Sequence, residues 1–187
     1  MGSYTKDVYI SASSDDFALE AVIERIEAFE NIYENPRIKS VDADSLQYRC
    51  EFAYKNFLQR CLHSTDADER HTIDAVLGKI GESDCHEAWG RLSNMTSLYL
   101  SSKNIKTLSP LAGLEHLTVL SLGWNKIENL EPLEGFHNLK DLDLSRNEIS
   151  DLSPLSELKN LTRLELSNNK LKDLSPLAGL ENSAPLN

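Results

Sequence analysis

The sequence predicts an α/β protein in which a helical segment, residues 1–83, leads into a solenoid over residues 84–183, with a short tail at 184–187. Three observations predict it. Residues 96–183 write one pattern four times, with a period of 22 and no insertion or deletion. Each copy opens with L-x-L, the apolar–polar alternation of a short strand. Residues 13–95 carry apolar stripes at helical spacing. An unbroken period of this length makes one structural turn per copy, and each turn buries its apolar faces only when its neighbours cover them.

The four lines are 96–117, 118–139, 140–161 and 162–183. Leu98, Leu120, Leu142 and Leu164 form one column, and Leu100, Leu122, Leu144 and Leu166 a second. Ile105, Ile127, Ile149 and Leu171 form a third, and Leu108, Leu130, Leu152 and Leu174 a fourth. At about 1.5–3 kcal/mol per buried large apolar side chain, stacking these columns is the driving force. Asn125, Asn147 and Asn169 follow the second Leu by three residues. An inward amide offers both donors and acceptors, so it is expected to tie the bending backbone of adjacent turns. Lys103 stands where the other lines have Asn, with Asn104 one place late, so the first turn is expected to be irregular. Pro110, Pro132, Pro154 and Pro176 open the return legs, and Ser109, Ser153 and Ser175 are expected to cap them.

The form L-x-L-S-x-N-x-I-x-x-L-S-P-L-x-x-L-x-x-L resembles the internalin-type, 22-residue class of bacterial leucine-rich repeat, over 88 of the 187 residues. The resemblance implies a right-handed solenoid with a parallel sheet on its concave face, an N-terminal helical cap, and a role in binding other proteins.

In the N-terminal half, Val8 and Ile10 suggest one short strand. A first helix is expected from Ser13 or Ser14 to about Tyr33, stopped by Asn35-Pro36. A second runs from Asp44 to about His63, with Leu46, Cys50, Ala53, Phe57 and Cys61 on one face and Tyr54, Leu58 and Leu62 beside them. A third spans 66–80 and ends at Gly81; a fourth starts at Ser83 or Asp84. Trp89, Leu92 and Met95 precede Leu111, Leu114 and Leu117 by one period, so residues 84–95 form a half repeat joining the helices to the solenoid. Cys50 and Cys61 share a helix too far apart to pair, and no zinc-ligand spacing surrounds Cys61 or Cys85, so the three cysteines read as ordinary thiols.

Net charge is −11, with 10 Lys and Arg against 18 Asp and Glu in residues 1–95 and 9 against 12 in residues 96–187. An acidic protein of this kind argues against nucleic acid and anionic membrane as ligands. No stretch reaches the roughly 20 apolar residues of a membrane span, and no signal peptide is visible. The cytoplasm is the default location, with export by a non-classical route as the alternative. No phosphate loop, catalytic motif, metal motif or cofactor motif occurs, and no enzymatic activity or cofactor is expected.

Positions flanking the inner Leu pair face the concave side. Their rows are Ser97, Val119, Asp141 and Arg163; Tyr99, Ser121, Asp143 and Glu165; Ser101, Gly123, Ser145 and Ser167; and Ser102, Trp124, Arg146 and Asn168. Tyr99, Trp124, Asp141, Asp143, Arg146, Arg163 and Glu165 are the candidate partner-binding residues. Tyr99 and Trp124 are expected to flank one pocket, with Asp143 and Glu165 facing a cationic group of the partner. The leading function is a protein-binding module of a bacterial effector, adhesin or immunity-type protein. A self-associating structural protein is the alternative, paired through a last repeat whose Leu174, Leu177 and Leu180 lack a following line. An enzyme within the helical half is the weakest reading.

Overall fold

The computed structural model describes residues 43–180, with side chains from Phe52 onward. The expected strand at Val8 and Ile10, the helix to Tyr33, and the side chains of Leu46 and Cys50 lie outside the described residues. The chain divides into two compact units, residues 1–51 and 52–187.

Three helices come first: α1 at Ala43–His63, α2 at Ala67–Ile80 and α3 at Cys85–Leu92. Ala53, Tyr54, Phe57, Leu58 and Cys61 of α1 are buried at the expected helical spacing. Leu62, expected to widen that stripe, is instead exposed, because the buried arc is narrower than its position. Helix α2 begins where an acidic side chain satisfies its free amides: Asp66 accepts from the Asp68 and Glu69 N–H groups at 3.0 and 2.8 Å. It ends at Gly81 in the left-handed conformation, whose N–H donates to the Leu77 carbonyl. Asp84 caps α3 in the same way, at 2.8 and 3.0 Å.

Cys61 of α1 and Cys85, the first residue of α3, form a disulfide with Cα atoms 5.9 Å apart. This corrects the expectation of ordinary thiols. Only Cys50–Cys61 was within reach of a sequence argument, because those two share a helix; the turn between α2 and α3 brings Cys85 back to α1, and spacing does not encode that.

Strands β1 (Ser97–Tyr99), β2 (Val119–Ser121), β3 (Asp141–Asp143) and β4 (Arg163–Glu165) form one parallel sheet in chain order. Their register places Leu98 beside Leu120, Leu120 beside Leu142 and Leu142 beside Leu164. One 22-residue period is therefore one sheet spacing. A 3₁₀ turn returns each line, at Ser109–Leu111, Glu131–Leu133, Ser153–Leu155 and Ser175–Leu177, with Pro near its start. The serines do not cap these turns as expected. Each is the first residue of its turn, and the side chain two residues earlier does the capping. The N–H groups of Ser109, Glu131, Ser153 and Ser175 donate to Thr107, Asn129, Asp151 and Asp173 at 3.2, 2.8, 2.9 and 2.8 Å. The Ser153 hydroxyl and N–H hold the Asp151 carboxyl below the usual carboxylate range, and the Ser175 N–H and hydroxyl do the same for Asp173.

The inward amides behave as their chemistry requires. Asn147 Nδ2 donates to the Leu122 and Leu144 carbonyls at 3.0 Å each, and its Oδ1 accepts the Ile127 N–H at 3.0 Å. Asn125 and Asn169 repeat the pattern one line before and after. The first line departs as expected: Asn104 adopts φ +57° in addition to the left-handed residue each line has two positions earlier.

Seven apolar side chains of the first line, from Leu98 to Leu117, are completely inaccessible, because the helices cover them. Asn56 Nδ2 donates to the Ser109 and Ala112 carbonyls, and Thr72 Oγ1 to the Thr107 carbonyl. A Cβ on Gly113 would lie 3.0 Å from the Ala53 Cα, so the close approach of α1 to the first line requires glycine there. In the half repeat, Leu92 of α3 is fully buried in the register of Leu114, whereas Trp89 and, beyond the helix, Met95 are half-buried. Trp89 packs on Tyr54 and Phe57, with ring centroids 5.6 and 6.0 Å away. In the last line Leu174 is 54% exposed, but Leu177 and Leu180 are buried, against the expectation for all three.

Candidate functional site on the concave face

The strands are short because each line must bend twice within 22 residues, so each presents two outward positions. Val119, Asp141, Ser121, Asp143 and Glu165 are half-buried there, and Arg163 and Tyr99 are exposed. The fourth row lies just past the strand ends, and all its members hold a left-handed backbone: Ser102 at φ +59°, Trp124 at +60°, Arg146 at +54° and Asn168 at +60°. This conformation completes the turn, and in the first three lines the N–H donates to the next line's carbonyl, as from Trp124 to Ser145 and from Arg146 to Ser167, both at 2.8 Å. Asn tolerates it; a bulky Trp or Arg there costs on the order of 1–2 kcal/mol.

The candidate residues resolve into separate arrangements. Arg146 stacks its guanidinium on Trp124, 4.0 Å from the ring centroid, and Trp124 remains 59% exposed. Tyr99 takes a different cation, with Lys79 Nζ of α2 5.6 Å from its ring centroid. Each of the two rings expected to flank one pocket thus carries its own cation, Lys79 on Tyr99 and Arg146 on Trp124. Arg163 pairs with Asp141 across adjacent strands at 3.5 Å.

Asp143 is the centre of a polar ladder. Its Oδ1 accepts from the Ser145 N–H at 3.0 Å and the Ser145 hydroxyl at 2.7 Å, and its Oδ2 accepts the Ser121 hydroxyl at 3.4 Å. Ser121 lies 2.8 Å from the Ser101 hydroxyl, which extends the ladder to the first line. Gly123 makes room for it: a Cβ there would lie 2.7 Å from Asp143 Oδ2. Asp143 is therefore a fixed acceptor already supplied with donors, while Glu165 in the next strand has no ion-pair partner among the described residues. Sequence reasoning missed Lys79, because only the packing of α2 brings it to the sheet. The ladder of Ser101, Ser121 and Ser145 was legible in principle, since these serines and Asp143 share one face in adjacent lines.

A polar groove of about 350 Å³ lies apart from these rows, lined by Asp68, Lys106, Thr107, Lys126 and Glu128 among others. Its Lys106 is already neutralised by Asp68 at 3.0 Å. Among the described residues, no group of three or more His, Cys, Asp and Glu could hold a metal ion, and no helix is long and apolar enough to cross a membrane.

The family described as leucine-rich repeats, in two copies, matches residues 93–135 and again 137–179. Among solved structures, an internalin (inlF) from Listeria monocytogenes is similar with a TM-score of 0.57 and 28% identity. Internalin C2 from the same organism is similar with a TM-score of 0.52 and 35% identity. Residues 93–179 are internalin-type leucine-rich repeats. Each of the two internalin comparisons covers 65% of this chain, which spans 36% of the first internalin and 55% of the second. A comparison with curated proteins finds no match. Internalin-type repeats form a bacterial solenoid with a helical cap, and leucine-rich repeats in general mediate protein–protein interaction.

Proposed function

We propose that the protein binds another protein through the concave face of its solenoid, as the recognition module of a bacterial effector, adhesin or immunity-type protein. The observation that carries this reading is Trp124: an aromatic ring 59% exposed, held in a backbone conformation that disfavours it, at a position filled by Ser, Arg or Asn in the other lines. Retention of a costly residue at a variable surface position is accounted for by burial in a partner, where Trp, Tyr and Arg supply most of the binding energy. The preset Asp143 ladder and the Asp141–Arg163 pair supply polar contacts around it.

The test is capture from the source cell with the intact chain, compared with Trp124→Asn and with Lys172→Ala, an exposed position outside the concave rows. A partner retained by both the intact chain and Lys172→Ala and lost with Trp124→Asn supports the reading. Equal capture by all three refutes it.

Self-association is a second reading, favoured by the exposed Leu174. A concentration-dependent dimer in sedimentation that Leu174→Glu dissociates would support it. Leu177, being buried, is the wrong place for that test.

A further inference from the structure

Trp124 and Arg146 occupy equivalent places in adjacent lines, and the guanidinium lies over the indole at 4.0 Å. We propose that this stack is a receptor for a carboxylate on the partner, so that the segment crossing the face beside β2 and β3 is an acidic stretch with an aromatic or aliphatic side chain next to the acid. The inference rests on the concave-face reading above and adds the chemistry of what is bound there.

A guanidinium whose carbon lies over an aromatic ring still has its in-plane N–H edge to donate. Among the described residues no carboxylate or carbonyl accepts from that edge, although three carboxylates stand in neighbouring rows. Asp143 accepts from Ser145 and Ser121, and Asp141 faces Arg163 at 3.5 Å. Glu165 is one line further on and makes no ion pair with Arg146. A guanidinium presents a rigid fork matched to two carboxylate oxygens. Holding that fork against an aromatic face before binding removes part of the ordering cost that a free Arg incurs on association. The neighbouring indole supplies apolar area for the residue beside the acid.

The opposite chemistry, a cationic group of the partner held by Asp143 and Glu165, is the expectation from sequence alone. It loses ground because Asp143 already accepts three hydrogen bonds from Ser145 and Ser121. The net charge of −11 opposes an acidic segment at long range. At physiological salt, however, charges beyond about 8 Å are largely screened, so contacts at the stack decide affinity.

The experiment uses the full chain and short immobilised synthetic peptides in three sets. In each set Phe or Leu alternates with one polar residue: Glu in the first, Gln in the second, Lys in the third. The expected result is retention on the Glu set at least tenfold stronger than on the Gln set. Arg146→Gln should abolish that preference, Arg146→Lys should lose most of it, and Asp143→Asn should leave it within about twofold. Preference for the Lys set, equal retention on Glu and Gln, or retention on none overturns the inference. Val119→Arg, which adds bulk to another concave row, separates this failure from failure of the concave-face reading. If Lys peptides bind and Val119→Arg abolishes their binding, the face stands and the carboxylate receptor falls. If retained peptides ignore both Val119→Arg and Arg146→Gln, the concave-face reading falls with it.

Discussion

At the scale of single residues, the two aromatic–cation contacts on the sheet have different meanings. Tyr99 beside Lys79 joins the helical cap to the first strand, whereas Trp124 beside Arg146 projects from a turn. Left-handed geometry opposes Trp124 by on the order of 1–2 kcal/mol, and its stacking on Arg146 returns about 0.5–1 kcal/mol at an exposed site. Trp124→Asn, which copies the residue of the last line at this place, should therefore change stability by less than about 1 kcal/mol. A urea melt checks it, and a loss of 2 kcal/mol or more would make the ring structural. His116 gives a pH prediction. It is half-buried and donates from Nε2 to the Leu92 carbonyl at 3.1 Å. Burial lowers its pKa below 6.5, partly offset by the Leu92 and Met95 backbone contacts. The unfolded chain therefore binds the proton more readily, so the neutral ring's contribution is complete above about pH 6.5 and is lost as pH falls below it. Asn138 and Asn160 hold the equivalent place and donate to the Glu115 and His137 carbonyls at 2.9 and 2.7 Å. His116→Asn should keep the contact and flatten the stability profile between about pH 6.5 and 5, measured by thermal melts across that range. An unchanged slope would assign the acid sensitivity elsewhere.

At the scale of elements, every line closes with a left-handed residue and a cap two residues before the return turn, and lines two to four add an inner amide. The helices are fastened differently. The Cys61–Cys85 disulfide closes α1 to α3 around α2 across a sequence separation of 24. Loop closure of that length contributes about 3 kcal/mol by restricting the unfolded chain. Paired Cys61→Ala and Cys85→Ala substitutions, or a reductant, should lower stability by roughly that amount. Thiol labelling of the unfolded chain should count one cysteine without reductant and three after reduction. Three labelled thiols in the oxidised chain, or an unmoved midpoint, would show that the bond contributes nothing.

At the scale of the whole folded unit, residues 52–187, the cap and the solenoid share one core. Leu98 and Leu100 of the first line are inaccessible, as are Phe57, Ile73 and Leu92 of the helices. A solenoid's turns depend on their neighbours, and here the first neighbour is the helical layer. Cap and repeats should therefore melt together. Fluorescence from Trp89, isolated in a Trp124→Asn background, reports the cap, and far-ultraviolet circular dichroism reports the whole. Coincident transitions in urea are the expected outcome. A fluorescence transition that precedes the dichroism would show a cap that opens alone.

The sequence by itself determined the solenoid. Its Leu columns, inner amides and prolines recur at one fixed period, and a periodic pattern has one compact way to bury its apolar side chains. The helix ends at Asp66, Gly81 and Asp84 were legible for the same local reason, since caps act within a few residues. The concave rows followed from strand alternation, which needs only the next residue. Contacts set by three-dimensional approach were decided by tertiary structure alone. Cys85 reaches Cys61 through the turn between two helices, and Lys79 reaches Tyr99 because α2 packs beside the first strand. Arg146 chooses Trp124 while Asp143 turns to Ser145. Both partners of each were visible in the sequence, but several nearby groups competed for each one, and only the folded geometry selects among them.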